Sequence, residues 1–468
     1  MTENQINTVE PPGFGPHDLG PQAFLAQFMA RPSPDPLSGA FESKFVVHPG
    51  MASIPLPPNQ AGEAFAQIMS RPLKGPLSVY LHLPFCESRC LYCGFAGQKA
   101  EPDLKAAYVK ALLSEIAYLA DRPSTKGPVQ SIYFGGGTPS SLLPEELECL
   151  LEAVKKNYNL CNDCEITLEG RIHDFTPEKA AGFIQAGFNR FSIGIQTFDT
   201  VLRRQVGRIS DHDKVVELLT NLVSLQKATT VIDLIFGLPG QKLENLIRDI
   251  ELAEEIEIDA LDLYQLNVFN KSPLEVAINS GRIPPAIPLS GQGEFYRQGC
   301  QKLVELHWRQ LSLSHFARTF RERCLYNLIN KRKSDCLGMG AGAGSLMDGW
   351  SMYRLPKVDA YLEAVGKGDF SPSFISRPSK GHHLIGQIIE QMEQGYLEFE
   401  RLVRKFSFDP RPAKTLMENW SQNGLIEWDD RRLKLTLSGR FWGVNLTEAL
   451  TKAVTHDYRE TSSLGALA

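Results

Sequence analysis

From Leu77 onward, short β-rich apolar runs alternate with amphipathic helical stretches, and that alternation leaves few architectures open. The runs are 77–83 (LSVYLHL), 129–134 (VQSIYF), 164–169 (CEITLE), 189–195 (NRFSIGI), 230–236 (TVIDLIF) and 259–266 (DALDLYQL). Nearly continuous apolar runs of this kind read as strands buried on both faces. Residues 103–121 set Leu104, Tyr108, Ala111, Leu112 and Leu119 on one helical face. Residues 144–158 do the same with Leu147, Leu150, Leu151 and Val154. Strands separated by helices pair in parallel, so six such units predict an α/β fold built on an open or partial (β/α)6 barrel. Its chemistry belongs at the C-terminal ends of the strands.

The flanks differ in composition. Residues 1–76 hold 13 of the 30 prolines, so this N-terminal extension cannot run as long helices or central strands. A short helix near 61–70 fits, and the whole is expected to wrap or cap the main body. Beyond the barrel, 288–309 reads as a long helix and 311–316 (LSLSHF) as a strand. Gly338 to Gly349 (GMGAGAGSLMDG) follows as a glycine-rich turn. After about 370, helices at 380–395 and 410–423 precede a β pair, GLIEWDDRRLKLTL. That order resembles a C-terminal α+β winged-helix-like appendage. The expected units are 1–76, 77–310 (the barrel), 311–370 (a barrel extension with the glycine-rich block) and 371–468.

Cys86, Cys90 and Cys93 sit directly after the first predicted strand. Thiolates at this spacing on one loop can grip one corner of an iron–sulfur cubane. Three ligands leave one iron open to an amino and a carboxylate group. The competing reading is a zinc site without an obvious fourth ligand, or buried cysteines of no consequence. Nine cysteines and no basic-then-apolar leader predict a reducing, cytoplasmic setting. A net charge of -5 argues against a nucleic-acid partner. No run approaches the roughly 18 apolar residues of a membrane span.

The segment YLHLPFCESRCLYCGF (80–95) resembles the radical S-adenosylmethionine (SAM) branch that contains oxygen-independent coproporphyrinogen oxidases and the related haem chaperones. The resemblance continues through YFGGGTP (133–139), TLEGR (167–171), GIQTFD (194–199), VGR (206–208) and DLIFGLPGQ (233–241), and covers about 77 to 450. It implies a [4Fe–4S] cluster on Cys86, Cys90 and Cys93, with SAM on the open iron cleaved reductively to a 5′-deoxyadenosyl radical. Gly135, Gly136, Gly137, Thr138 and Pro139 form either a tight turn or a backbone contact to the SAM amino group. Glu169, Gln196 and Asp233 are polar groups in apolar strands and need partners. The resemblance implies ribose contacts for Gln196 and Asp233, and the amino-acid end of SAM for Glu169 and Arg208. It sets Tyr92 against the adenine and Tyr80 at the cofactor. His82 is either structural or close to the cluster.

Within the branch, Phe95 departs from the coproporphyrinogen oxidases, which carry a cysteine there. The HNxxYW-like motif of the haem chaperones is replaced by RERCLYNLINKRKSDCLGMGAGAGS (321–345). That block, the proline-rich extension and LTLSGRFWGVNL (435–446) resemble the anaerobic haem-degrading radical SAM methyltransferases, or anaerobilin synthases. The resemblance implies a second SAM as methyl source, addition to an sp² carbon of the porphyrin, ring opening to a methylated linear tetrapyrrole, and iron release. A flavodoxin-like electron donor is the implied partner. A decarboxylating oxidase and a non-catalytic haem chaperone are the alternatives. Cys161 and Cys164 are expected to be structural. Cys324 and Cys336 are read as buried thiols before haem contacts, His315 as a core histidine, and His382-His383 as the start of a solvent-facing helix.

Overall fold

The computed structural model describes residues 25–50, 53–73, 75–94, 97–99, 101–379, 381–406 and 408–464, with side chains to Ala453. Thirteen strands among these residues form one sheet. Beyond the short β1 (Ser53–Pro55) come β2 (Leu77–Leu83), β3 (Pro128–Gly136), β4 (Asn159–Gly170), β5 (Arg190–Gln196), β6 (Thr229–Phe236) and β7 (Ala260–Gln265). These six lie side by side in chain order and pair in parallel. They match the six predicted runs to within a few residues.

Helices Pro102–Ala120, Pro144–Asn157, Pro177–Ala186, His212–Ser224 and Leu243–Glu255 cross between successive strands. The first three begin on a proline, whose missing N–H is one the first turn leaves unbonded anyway. Thr176 and Asp211 cap their helices by accepting from the N–H groups of Lys179 and Lys214. Each helix turns its apolar stripe to the sheet, with Leu112, Ile116 and Leu119 of the first fully buried. On β2, Val79, Leu81 and Leu83 are buried, whereas Tyr80 and His82 on the other face are only half-buried because they line the barrel lumen.

The segment after β7 joins both edges of the parallel sheet. After helix Leu289–Glu305, β8 (Arg309–Gln310) and β9 (His315–Ala317) add antiparallel strands beside β7. Then β10 (Cys336–Met339) pairs in parallel with β2 at the opposite edge. Between them lies helix Leu325–Lys331, whose first N–H groups, on Leu325 and Tyr326, donate to the buried Glu165 carboxylate of β4. β11 (Gly344–Met347), β12 (Trp350–Tyr353) and β13 (Phe374–Pro378) continue the sheet, and β1 closes it. Two expectations change. Of LSLSHF only His315 and Phe316 are strand, because Leu311 and Ser312 turn back to donate to the His315 carbonyl. The glycine-rich block is two strands around a tight reversal, where Gly340 and Gly342 take φ of 101° and 80°.

At the C-terminus, helix His382–Glu393, β14 (Tyr396–Glu398), helices Phe399–Phe406 and Lys414–Gln422, then β15 (Ile426–Trp428) and β16 (Arg432–Leu435) give the winged-helix order. Their three-stranded sheet has the order β14-β16-β15. Helix His382–Glu393 is not solvent-facing: Leu384 through Met392 are buried, and only its first turn is open. Part of the proline-rich extension straps this unit to the barrel. Trp420 Nε1 donates to the Phe28 carbonyl at 3.0 Å and Trp442 Nε1 to the Pro36 carbonyl at 3.0 Å. No helix of the described residues is long and apolar enough to cross a membrane.

Candidate active site

The cysteine loop leaves the end of β2 and is tied down on three sides by backbone bonds. Cys86 N–H donates to the Gln98 carbonyl at 3.1 Å, and Leu91 N–H to that of Val206 at 3.1 Å. Leu274 N–H donates to the Leu91 carbonyl at 3.0 Å. From β3, Gly137 N–H reaches the Leu83 carbonyl at 2.9 Å and Thr138 N–H the Phe85 carbonyl at 2.7 Å. A Cβ on Gly137 would stand 2.5 Å from the Phe85 carbonyl oxygen, so only glycine lets β3 approach the loop this closely. A Cβ on Gly136, at φ 116°, would stand 2.8 Å from the His82 ring. The end of β3 and Gly137 thus seat the cysteine loop.

Cys86 and Cys90 are buried, Cys93 is half-buried, and none of the three is in a disulfide. The hydroxyl of Thr138 lies 3.4 Å from Cys86 Sγ. Arg171, buried at the end of β4, places Nη2 3.5 Å from the same sulfur and donates from Nη1 to the Ser88 carbonyl at 2.7 Å. A buried cation thus stands beside the first cysteine of the loop.

Below the loop, the contacts sort the predicted lumen residues into two groups. Over Gly194 of β5, a Cβ would meet Gln196 Nε2 at 2.8 Å, Arg208 Nη2 at 3.1 Å and Asp233 Oδ2 at 3.6 Å. These three side chains share the space that the missing side chain leaves. Arg208 donates to the Tyr92 hydroxyl from Nη2 at 2.7 Å and from Nε at 3.1 Å. The buried Oε1 of Gln196 has no partner. Gln196 itself sits at φ 71°, a conformation costing about 1–2 kcal/mol for a non-glycine residue. The buried Arg203 holds it there, donating from Nη1 to the carbonyls on either side, Ile195 at 2.6 Å and Thr197 at 3.0 Å.

In the second group, the Tyr133 hydroxyl donates to Glu169 Oε1 at 2.5 Å and Gly136 N–H donates to Oε2 at 3.3 Å. Tyr80 lies within 2.9 Å of His82 Nδ1 and stacks with Tyr133 and Tyr326. Glu169 and Arg208 thus stand in separate contact groups. Burial raises the Glu169 pKa. It lifts Asp233 to about 7, reinforced by the neighbouring carboxylates of Asp262 and Glu169. Burial also lowers His82 to about 4, so its ring is neutral at neutral pH.

The residues present fit a cubane and a zwitterionic nucleoside. Three cysteines outside any disulfide share one loop beside a buried arginine. An unpartnered amide oxygen, a buried guanidinium and two half-buried carboxylates line the lumen beside Gly194. Arg171, Arg203 and Gly194 were not singled out from sequence. Arg171 had a signal, since it lies two residues beyond Glu169 and so on the same strand face. Phe95 lies outside the described residues. Cys161 and Cys164 lie in an irregular stretch of β4, where the register to β3 shifts between Leu160 and Glu165. Burial pushes the Cys164 thiol up to about 12, which fits a structural role. Cys324, Cys336 and His315 are all buried.

A family model described as the Radical SAM superfamily matches residues 80–253. The chain is 33% identical to anaerobilin synthase of Escherichia coli O157:H7 over 416 residues, covering 88% of this chain and 93% of that one. It is 27% identical to the haem chaperone HemW of Bacillus subtilis, over 78% of this chain and 97% of that one. Among solved structures, coproporphyrinogen III oxidase (HemN) from Escherichia coli superposes with a TM-score of 0.74 at 21% identity, over 88% of this chain and 97% of that one. The last likeness establishes the fold.

Proposed function

The chain belongs to the radical SAM superfamily, and from that premise we propose that it is a methyltransferase of the anaerobilin-synthase type. In this reading it methylates and opens the porphyrin ring of haem without oxygen, giving a linear tetrapyrrole and free iron. The observation that carries the reading is the near full-length similarity to anaerobilin synthase. The chain's cofactors are a [4Fe–4S] cluster and SAM. A second SAM molecule as methyl source, a flavodoxin-like electron donor and a cytoplasmic setting belong to the proposal.

Cys86, Cys90 and Cys93 would hold the cluster, with Arg171 and Thr138 around the first sulfur. When bound and reduced, the cluster supplies the electron that cleaves SAM. Arg208 would clamp the SAM carboxylate, exchanging its bond to Tyr92 for a charge-assisted one. Gln196 Oε1 and Asp233 would accept from ribose hydroxyls, and an Asp233 pKa of about 7 suits a carboxyl that shares protons in hydrogen bonds. Glu169, held by Tyr133, would accept from an ammonium group. Tyr92 would flank the adenine and Tyr80 would complete the cofactor wall.

Anaerobic incubation of cluster-loaded protein with haem, SAM and reduced flavodoxin tests the reading. Loss of the Soret band with 5′-deoxyadenosine and a methylated linear tetrapyrrole is expected. An intact Soret band without deoxyadenosine would overturn it in favour of a chaperone. Turnover of coproporphyrinogen alone would move it to a decarboxylase.

A further inference from the structure

Beside the lumen lies a second cluster of metal-type donors that the chemistry above does not use. His315 on β9, Glu322 and Cys324 are 2%, 3% and 4% exposed, and their donor atoms lie within 4.8 Å of one another. We propose that His315, Glu322 and Cys324 form a binding site for one divalent zinc-type cation, distinct from the cluster site, with Asp262 and Arg190 as positioning residues.

The geometry around the imidazole carries the inference. His315 Nε2 stands 3.3 Å from Glu322 Oε1, and Nδ1 stands 3.0 Å from Asp262 Oδ1. Neither nitrogen makes a hydrogen bond, so both approaches lie off the ring's donor directions. Bonds of roughly 2.0–2.1 Å around a tetrahedral ion put two donor atoms about 3.3–3.4 Å apart, which is the separation of Nε2 and Oε1. A metal-bound histidine usually donates its far ring N–H to a carboxylate; Asp262 stands at the distance of such a partner, though the ring is not turned to make the bond here. Arg190 grips Glu322 with Nε at 3.0 Å to Oε2 and 3.3 Å to Oε1 and with Nη2 at 3.2 Å to Oε1, which fixes the carboxylate beside the imidazole and leaves Oε2 the less encumbered oxygen.

Charge fits as well. One thiolate and one carboxylate neutralise a divalent ion, while the Asp262 and Arg190 charges offset each other. Imidazole, thiolate and carboxylate together suit zinc better than calcium or magnesium. Tyr264, two residues beyond Asp262 on β7 and 41% exposed, is the open side chain next to the site.

Cluster-loaded protein, equilibrated with zinc and desalted, would be assayed for zinc and iron by mass spectrometry and for zinc ligands by X-ray absorption. One zinc per chain is expected beyond the cluster iron, in a shell of one sulfur with nitrogen and oxygen. Cys324→Ala and His315→Ala should lose it. Cys336→Ala, which removes a buried thiol on β10, should keep it. Asp262→Asn should weaken binding by about 10–100-fold. Iron without zinc would overturn the proposal and leave a closed ion network around an imidazolium. So would a shell of sulfur alone, which marks zinc on vacant cluster cysteines. The wild-type absorption spectrum decides the matter even if the variants fail to fold.

Discussion

Gly137 shows how a single hydrogen atom governs the cysteine loop. A methyl group there would meet the Phe85 carbonyl oxygen at 2.5 Å, and neither backbone can retreat without moving Cys86. Gly137→Ala is therefore expected to fold but to hold well under half the wild-type cluster iron, read by iron content and absorbance. Cys93→Ser should abolish cluster assembly and, with it, 5′-deoxyadenosine formation; a fully active variant would refute the cluster assignment. The three thiols were legible because their spacing has few other uses. Glu169, Gln196 and Asp233 stood out as polar residues in apolar strands. Arg203 did not. Its role depends on a positive φ at Gln196, and no pattern in one sequence announces a backbone angle that a distant side chain must hold.

At the scale of elements, β5 and helix Leu243–Glu255 are joined by a buried carboxylate. Asp249 Oδ1 accepts the Phe198 N–H at 2.8 Å just beyond the strand end. Burial lifts its pKa from 3.8 to about 7. Between those values the folded chain binds a proton that the unfolded chain has released, so stability from this group falls as pH rises through the window. Below it the contribution vanishes, and above about 7 the full penalty is present. Asp249→Asn should flatten the loss of thermal stability between about pH 4 and 7, by an amount on the order of a few kcal/mol at neutral pH. Unfolding curves of both proteins at several pH values would check it; parallel curves would refute it. The six strands were legible because burial on both faces makes each a compact apolar run. LSLSHF was not, since a two-residue strand and a turn share one apolar composition. Helix His382–Glu393 opens on two histidines that mask a stripe buried from Leu384 onward.

Over the whole molecule, the extension and the C-terminal unit depend on each other. Asn419 mimics a strand neighbour for Ala30, accepting its N–H on Oδ1 at 2.7 Å and donating from Nδ2 to its carbonyl at 3.2 Å. Asn419→Ala should lower stability by about 1–3 kcal/mol and leave cluster content unchanged; calorimetry and iron analysis would separate the two effects. Prolines excluded long helices from this extension but could not reveal its partner, because pairings across nearly 400 residues leave no local pattern. The strap also imposes a chronology on synthesis. The cysteine loop and the strands carrying its lumen partners have emerged once Phe236 is made, whereas Phe28, Ala30 and Pro36 wait for Asn419, Trp420 and Trp442. The segment from Phe28 to Pro36 is thus made before the barrel and settles after it. A nascent chain can gather the strands of its lumen while that segment is still unmoored.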